Sequence, residues 1–426
     1  MDLAITTLLL LTALICTIRT RFIQFRRFGS AMRCFSAEST GKGAVSPFQA
    51  AATSLAATIG TGNIAGVAGA ILLGGPGTVF WMWISALVGM AAKYTEIFFG
   101  MRYRTENVIG PMAYIEHGLE HRWQPMAFAY AGFCAIACLT MGNLVQVNTV
   151  AEAAVSLFHS LPSVSRIPNV LVCAAVGGVT ALAVGLVEYG GAKRVGRVAA
   201  LLVPFMSLLY LLGAGVLLWV NRSRLLPAFH AIFSDVFNPK AFLVGISRGT
   251  FSHEAGLGTA AIAHGYAATD NNHRQALYGI FEVFFDTILI CTVTALAVLV
   301  SGIPLVSIGE ARNSALVIDA FATFFGASAA AAGISISLLL FAFSSIISFS
   351  LYGSFCATYL FGTAGGKMYR VLFLPLLIIG ACTRVTVVWQ LAEWCNMALA
   401  VINSAALLGL LFRPQRSHEY TIKTIL

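Results

Sequence analysis

Apolar residues run in long blocks along this chain, and polar or glycine-rich interruptions fall inside some of the blocks rather than between them. Eleven apolar segments are readable, at 3–18, 48–73, 78–101, 126–155, 169–188, 198–220, 241–265, 277–301, 332–361, 370–388 and 391–412. Most approach or exceed the ~20 residues that a helix needs to cross the hydrocarbon core. The first has 16 residues and lacks the basic leader and cleavage site of a signal peptide, so it reads as a tilted or truncated membrane helix. Two segments are broken from within: 48–73 by Gly60-Thr61-Gly62-Asn63, and 241–265 by the run from Ser252 to Gly258. Glycine weakens a helix by about 1 kcal/mol relative to alanine. Backbone that leaves the helix at membrane depth must be buried in protein or line a wet cavity. A close helix–helix crossing is the other reading of such small residues.

Without the first segment, ten remain, and each group of five opens with a broken one. Broken segments at matching places in two halves point to an inverted-repeat transporter with its site at the breaks. The expected fold is all-α and integral to the membrane. It forms one transmembrane domain over 1–426, comprising an extra N-terminal helix and basic loop (1–40), a first five-helix repeat (48–220) and a second (241–412).

Composition agrees: of the 426 residues, 58% are hydrophobic and only 10% charged. Soluble chains carry about 25% charged residues. The net charge of +9 therefore reflects basic loops rather than nucleic-acid binding. With the N-terminus outside and the C-terminus cytoplasmic, 18 of the 26 Lys and Arg fall in inside loops and 6 in outside loops. Lys93 and Arg248 fall within spans. The nine cysteines show no metal-ligand spacing and predict no disulfide framework; Cys134 and Cys138, one turn apart, read as packing. No phosphate-binding loop, HExxH or GxSxG is present, which leaves an ATPase or membrane hydrolase without support. No repeated filter motif supports a channel.

The stretches RTRFIQFRRFG (19–29), GTGNIAGVAGAILLGGPGTVFWMW (60–83), GNLVQVN (142–148), GGAKRVGRVAALLVPFMSLLYLLGAG (190–215), GTFSHEAGLGTAAIAH (249–264), EVFFDTILICTVTAL (282–296) and LLLFAFSSIISFSLYG (338–353) resemble the alanine or glycine:cation symporter family. They span nearly the whole chain in the family's order. The resemblance implies a LeuT-like fold, 5+5 inverted-repeat helices plus one N-terminal helix, in the plasma (inner) membrane. It implies a transporter, not an enzyme, that imports a small neutral amino acid with sodium as coupling ion, or with protons in some members, and no cofactor. Alanine, glycine, serine and glutamine all fit it.

The site residues each carry a physical argument. Freed N–H groups of Gly60, Thr61 and Gly62 can hold a carboxylate, aided by the dipole of the following half-helix. Freed carbonyls at Ala57 and Ile59 suit sodium, with Asn63 adding an oxygen; Asn63 is alternatively a capping amide. Ser344 and Ser345 can complete an oxygen cage, or bond back to their own helix. Ser345 and Phe349, at i and i+4, share a face and can line one cavity. The resemblance sets Phe251 and Gln146 against the substrate; core packing and helix glue are the alternatives for each, and Asn148 is a further candidate for glue. His253, Ser345 and Phe349 depart from the family's usual asparagine, threonine and tryptophan. His253 is read as a neutral amide substitute. Arg248 and Glu254 can pair only across a break. Glu282 and Asp286, at i and i+4, offer a proton relay, though a contact from Glu282 to a basic loop is the preferred reading. Glu96, Glu188 and Glu393 read as structural acids at span ends.

Overall fold

The computed structural model describes residues 3–34, 43–159, 167–303, 313–383 and 386–413. Of the basic residues counted above, Lys42, Arg166, Arg312, Arg384, Arg416 and Lys423 lie outside these.

The apolar blocks form helices throughout. The first is α1 (Leu3–Arg19). The first broken segment is α2 (Pro47–Thr58), a 3-10 turn at Thr61–Asn63, and α3 (Ala65–Gly74). Ser46 starts α2: its hydroxyl accepts from Gln49 N while Gln49 Oε1 accepts from Ser46 N, with Pro47 in the first turn, where no N–H is needed. A long helix α4 (Thr78–Tyr103) follows. Next, α5 (Gln124–Leu139) continues through a π turn, Thr140–Val145, into α6 (Gln146–His159). Then come α7 (Asn169–Glu188) and α8 (Gly191–Val220). Helix α9 (Leu225–Ser234) lies in the stretch the sequence reads as an outside loop.

The second broken segment is α10 (Pro239–His253) and α11 (Thr259–Gly265). Helix α12 (Asn272–Val283) passes through a second π turn, Phe284–Cys291, into α13 (Thr292–Ser301). After α14 (Asn313–Phe325), α15 (Ala327–Cys382) bends at Gly362, whose φ of 72° only glycine adopts without strain. The segments expected at 332–361 and 370–388 are thus two arms of one bent element. The last helix among the described residues is α16 (Thr386–Phe412).

Six helices among the described residues are long and apolar enough to cross a membrane: His121–Val155, Asn169–Glu188, Gly191–Val220, Asn272–Ser301, Ala327–Cys382 and Gln390–Phe412. The interrupted segments fall short because each half is only 7–15 residues long. Helix α1, at 17 residues, is also short.

The interrupted helices and α4 lie in the protein interior. Lys93, Glu96, Asn63, Glu282 and Asp286 are all fully buried. Helices α7 and α8 show the reverse pattern, with Leu182 and Leu201 two-thirds or more exposed. Exposed leucine on a helix this apolar suits lipid as the surrounding solvent. Helices α4 and α10 cross closely at Gly245, where a Cβ would stand 2.5 Å from Thr78 O. All nine cysteines are unpaired.

Candidate transport site

The first break is made by two diverted N–H groups. In an unbroken helix Gly60 N would bond Ala56 O; instead it donates to Asn63 Oδ1 at 3.0 Å. Thr61 N would bond Ala57 O; it donates to Gln146 Oε1 at 3.3 Å, and Thr61 Oγ1 does so at 3.0 Å. Two carbonyls are thereby freed from the helix ladder. The serine pair on α15 faces one of them. Ser345 Oγ donates to Ala56 O at 3.0 Å and Ile59 O at 3.4 Å; Ser344 Oγ lies 3.4 and 3.5 Å from the same two. Both hydroxyls also bond back to Phe341 O, at 2.8 and 3.1 Å. Each hydroxyl has one proton to share among these acceptors, and five oxygens converge: Ala56 O, Ile59 O, Phe341 O and two hydroxyls. The other freed carbonyl, of the expected Ala57, points about 100° away from Ala56 O around the helix.

Asn63 caps the break through its oxygen and uses its amide N–H groups elsewhere. Its Nδ2 donates to Asp286 Oδ1 at 2.6 Å, on the π turn after α12. Asp286 Oδ2 accepts from Ser252 Oγ and Thr287 Oγ1, both at 2.7 Å. One buried carboxylate therefore joins the first break (Asn63) to the end of α10 at the second (Ser252). The residue expected to bind sodium through its amide oxygen instead spends that oxygen on Gly60 N in this conformation.

The second break is held from the side. Glu254 takes a left-handed conformation (φ 54°), as do Gly256 and Gly258. Glu96 Oε1 accepts from Gly256 N at 2.7 Å, Gly258 N at 3.2 Å and Asn403 Nδ2 at 2.7 Å. Tyr130 donates to Leu257 O, and Thr259 Oγ1 to Glu254 Oε2, each at 2.7 Å. His253 Nδ1 accepts from Ala255 N at 3.1 Å, and its Nε2 lies 2.9 Å from Ser85 Oγ. That pattern suits a neutral ring donating through Nε2. Glu96 is therefore a buried anchor of the break rather than an acid at a span end. Glu254 is occupied by Thr259, and the Arg248–Glu254 pair is not formed.

Several predicted residues converge. A Cβ on Gly60 would meet Ser345 Oγ at 2.8 Å and Gln146 Oε1 at 3.2 Å. Phe349 is buried on the next turn of α15, and a Cβ on Gly142, in the first π turn, would stand 2.3 Å from it. Phe251 is half-buried in the last turn of α10. Asn148 donates to Gly380 O at 3.1 Å and Thr383 O at 2.9 Å, which fastens α6 to α15. Gly62 is the exception to the crowding: nothing lies within 4 Å of where its Cβ would be. Gly62→Leu is therefore expected to insert and purify as a monodisperse protein while losing amino acid binding, because the added side chain fills open space at the break. Binding isotherms on the purified variant check this; unchanged binding would place the substrate elsewhere.

Comparison with known proteins gives the chain its family. The family model described as "sodium:alanine symporter family" matches residues 1–419. The chain belongs to that family. The sodium/alanine symporter AgcS of Methanococcus maripaludis is 39% identical, over 95% of this chain and 90% of that protein. The probable sodium/glutamine symporter GlnT of Bacillus subtilis is 32% identical, over 94% and 84%. The crystal structure of MhsT in complex with L-phenylalanine superposes with a TM-score of 0.65 at 14% identity, over 84% of this chain and 87% of that one. That likeness establishes the LeuT fold. This family member is a multi-pass membrane transporter and not an enzyme.

The sequence reading missed the partners of its acids. Among the described residues Glu282 bonds no basic loop: it pairs with Lys93 at 3.2 Å, His264 at 2.7 Å and Ser54 at 2.6 Å, all buried. The one signal available was that Lys93 sits inside an apolar segment, where an ionisable residue requires a partner.

Proposed function

We infer that this protein imports a small neutral amino acid together with sodium, by alternating access around the two breaks. The observation that carries the reading is the five-oxygen cluster of Ala56, Ile59, Phe341, Ser344 and Ser345. Sodium is a hard cation that takes oxygen ligands, as its neighbours calcium and magnesium do. A hydroxyl that now donates to a carbonyl can turn its lone pairs towards a cation held between them. Asp286 adds a formal negative charge at the junction of Asn63 and Ser252, the place where both breaks would feel a bound cation. The substrate's carboxylate would take the N–H groups of Gly60, Thr61 and Gly62, with Gln146 exchanging its place on Thr61 for a contact to the ligand. Phe251 and Phe349 would bound the side chain. The absence of a free charge in this set favours a neutral ligand.

In this reading the protein lies in the plasma (inner) membrane, N-terminus outside and C-terminus cytoplasmic. The repeats at 48–220 and 241–412 rock about the site. Glutamine or serine is the second reading for the substrate, and the likeness to the probable sodium/glutamine symporter of Bacillus subtilis supports glutamine. A thermal-shift screen of the twenty amino acids with and without sodium tests the proposal, since a ligand specific for the folded state raises its melting temperature. A shift by one small neutral amino acid that grows with sodium supports it; shifts indifferent to sodium contradict it.

Ser345→Ala removes one of the five oxygens. Losing about 1 kcal/mol of cation binding corresponds to about a fivefold rise in the sodium concentration for half-maximal uptake. Substrate affinity at saturating sodium should change less. Uptake measured across a sodium series checks this, and an unchanged midpoint would move the ion off this cluster.

A further inference from the structure

Helix α1 turns a row of apolar residues outward. Leu3, Leu11, Leu14 and Ile18 are exposed at one-face spacing, while Leu9, Ala13 and Cys16 are buried on the opposite face. The row does not stop where the helix does. Phe22 is 51% and Phe25 61% exposed, in the turn and the short helix (Ile23–Arg26) that follow. Exposed arginines stand around them: Arg21, Arg26, Arg27 and Arg33. No Asp or Glu occurs from Leu3 to Cys34 to balance this charge along the chain.

The backbone is forced to present these side chains. Arg21 (φ 54°) and Phe22 (φ 58°) are both left-handed, where a Cβ crowds the following carbonyl. Glycine is the ordinary residue at such a helix ending. The turn is held from beneath: Arg21 N donates to Ile18 O at 3.0 Å and Phe22 N to Thr17 O at 2.8 Å. Ile23 and Gln24 are buried, and Gln24 Nε2 donates to Leu87 O on α4 and to Thr17 Oγ1, both at 3.2 Å. Phe28 packs edge-on against Phe284 at 5.1 Å. Left-handed residues other than glycine persist only where the surroundings impose them, and they gather at functional places. Here they supply a guanidinium and a ring that glycine lacks.

The protein itself does not use these groups. Arg19 is taken up by α16, bonded to Leu411 O with its guanidinium 5.1 Å over the Phe412 ring. Among the described residues Arg21, Arg27 and Arg33 make no hydrogen bond or ion pair. Exposed phenylalanines suit the boundary between headgroups and hydrocarbon. A guanidinium fork matches two oxygens of a phosphate. A soluble anion would engage the arginines and leave the rings in water. A zwitterionic lipid would cover the rings and leave the charge unbalanced. An anionic phospholipid answers both.

We propose that the foot of α1 is a binding site for an anionic phospholipid, with the phosphodiester on Arg21 and Arg27 and an acyl chain along Ile18, Phe22 and Phe25. The opposite face of the same helix reaches the second break: a Cβ on Gly256 would stand 2.6 Å from Leu9 Cδ2. The bound lipid thus fixes the foot of a helix that packs on the transport site.

The test is native mass spectrometry of the full-length protein in detergent, titrated with phosphatidylglycerol or phosphatidylcholine of identical acyl chains. Wild type should retain phosphatidylglycerol at about tenfold lower concentration, since each basic residue at a membrane surface adds about one kcal/mol for anionic lipid. Arg21→Ala with Arg27→Ala should bring the two lipids within about twofold of each other. Arg21→Lys with Arg27→Lys, which keeps the charge, should retain most of the preference. Phe22→Ala with Phe25→Ala should weaken both lipids alike. Arg222→Ala with Lys240→Ala removes equal charge from the 222–240 stretch and should change nothing. Melting temperatures confirm that each variant is folded, and Arg21→Gln with Arg27→Gln replaces the alanine pair if that pair is not. An unchanged preference in the folded alanine or glutamine pair overturns the proposal, as does an equal loss in the 222–240 control. Displacement of phosphatidylglycerol by equimolar glycerol 3-phosphate would make this a site for soluble phosphates and overturn it too. So would a lipid-free dimer that the alanine pair dissociates, which would give the patch to a second copy of the chain.

Discussion

Asp286→Ala is expected to reduce sodium-dependent uptake by more than 100-fold. The side chain is fully buried and accepts from Asn63, Ser252 and Thr287. It is the one carboxylate found joining the two breaks among the described residues. Its removal leaves buried Asn63 Nδ2 and Ser252 Oγ with only contacts of 3.3–3.4 Å, to each other, to Cys291 Sγ and, for Asn63, to the residue-286 carbonyl, each weakened bond costing about 1 kcal/mol, and takes away the negative charge beside the proposed cation. A loss of two decades corresponds to about 2.7 kcal/mol, within reach of the two effects together. Asp286→Asn separates them: it keeps the shape and an acceptor oxygen but not the charge. The asparagine variant should purify normally and require about tenfold more sodium for half-maximal uptake. Flux measurements over a sodium series on both variants decide the matter. Wild-type sodium dependence in Asp286→Asn would show that the carboxylate serves structure alone.

The second large effect is on stability. Lys93→Ala is expected to destabilise the protein by about 3–5 kcal/mol, the usual consequence of leaving a buried partner charge uncompensated. Glu282 would then retain Ser54 and His264 among its described partners. The double variant Lys93→Ala, Glu282→Gln removes the stranded charge and should recover a substantial part of the loss, as expected of contacting residues that do not act additively. Monodisperse yield in detergent and apparent melting temperature for the two singles and the double measure this. A Lys93→Ala protein as stable as wild type would mean that Glu282 is not carrying its charge there.

The legible part of the structure is the part written locally. Gly60-Thr61-Gly62-Asn63 and the Ser252–Gly258 run announce their breaks because glycine and a polar amide interrupt otherwise apolar helix. Ser344 and Ser345 were recognisable because adjacent hydroxyls in an apolar helix require acceptors. What the sequence did not disclose is phase and long-range partnership. The π turns at Thr140–Val145 and Phe284–Cys291 each change helical phase, and hydrophobic periodicity does not register a one-residue change. The second of them turns Asp286 towards Asn63 and Ser252. That the serine pair faces Ala56 O is a matter of helical phase, about 100° per residue, that the GTGN motif does not encode. Lys93 and Glu282 lie far apart in sequence, with no spacing rule to connect them. Glu96 reads as peripheral by position, yet Gly256 N, Gly258 N and Asn403 surround it because the second break needs an acceptor for its freed N–H groups.

The central claim, that sodium and a small neutral amino acid move together through this site, is tested most directly by flux in purified proteoliposomes. Vesicles free of internal sodium are diluted into labelled alanine with sodium outside, with potassium outside as control, and with a proton gradient alone. Transient accumulation of alanine above equilibrium is expected only with the inward sodium gradient, and is abolished when sodium is equal on both sides. Equal accumulation in potassium, or accumulation driven by the proton gradient alone, would contradict it.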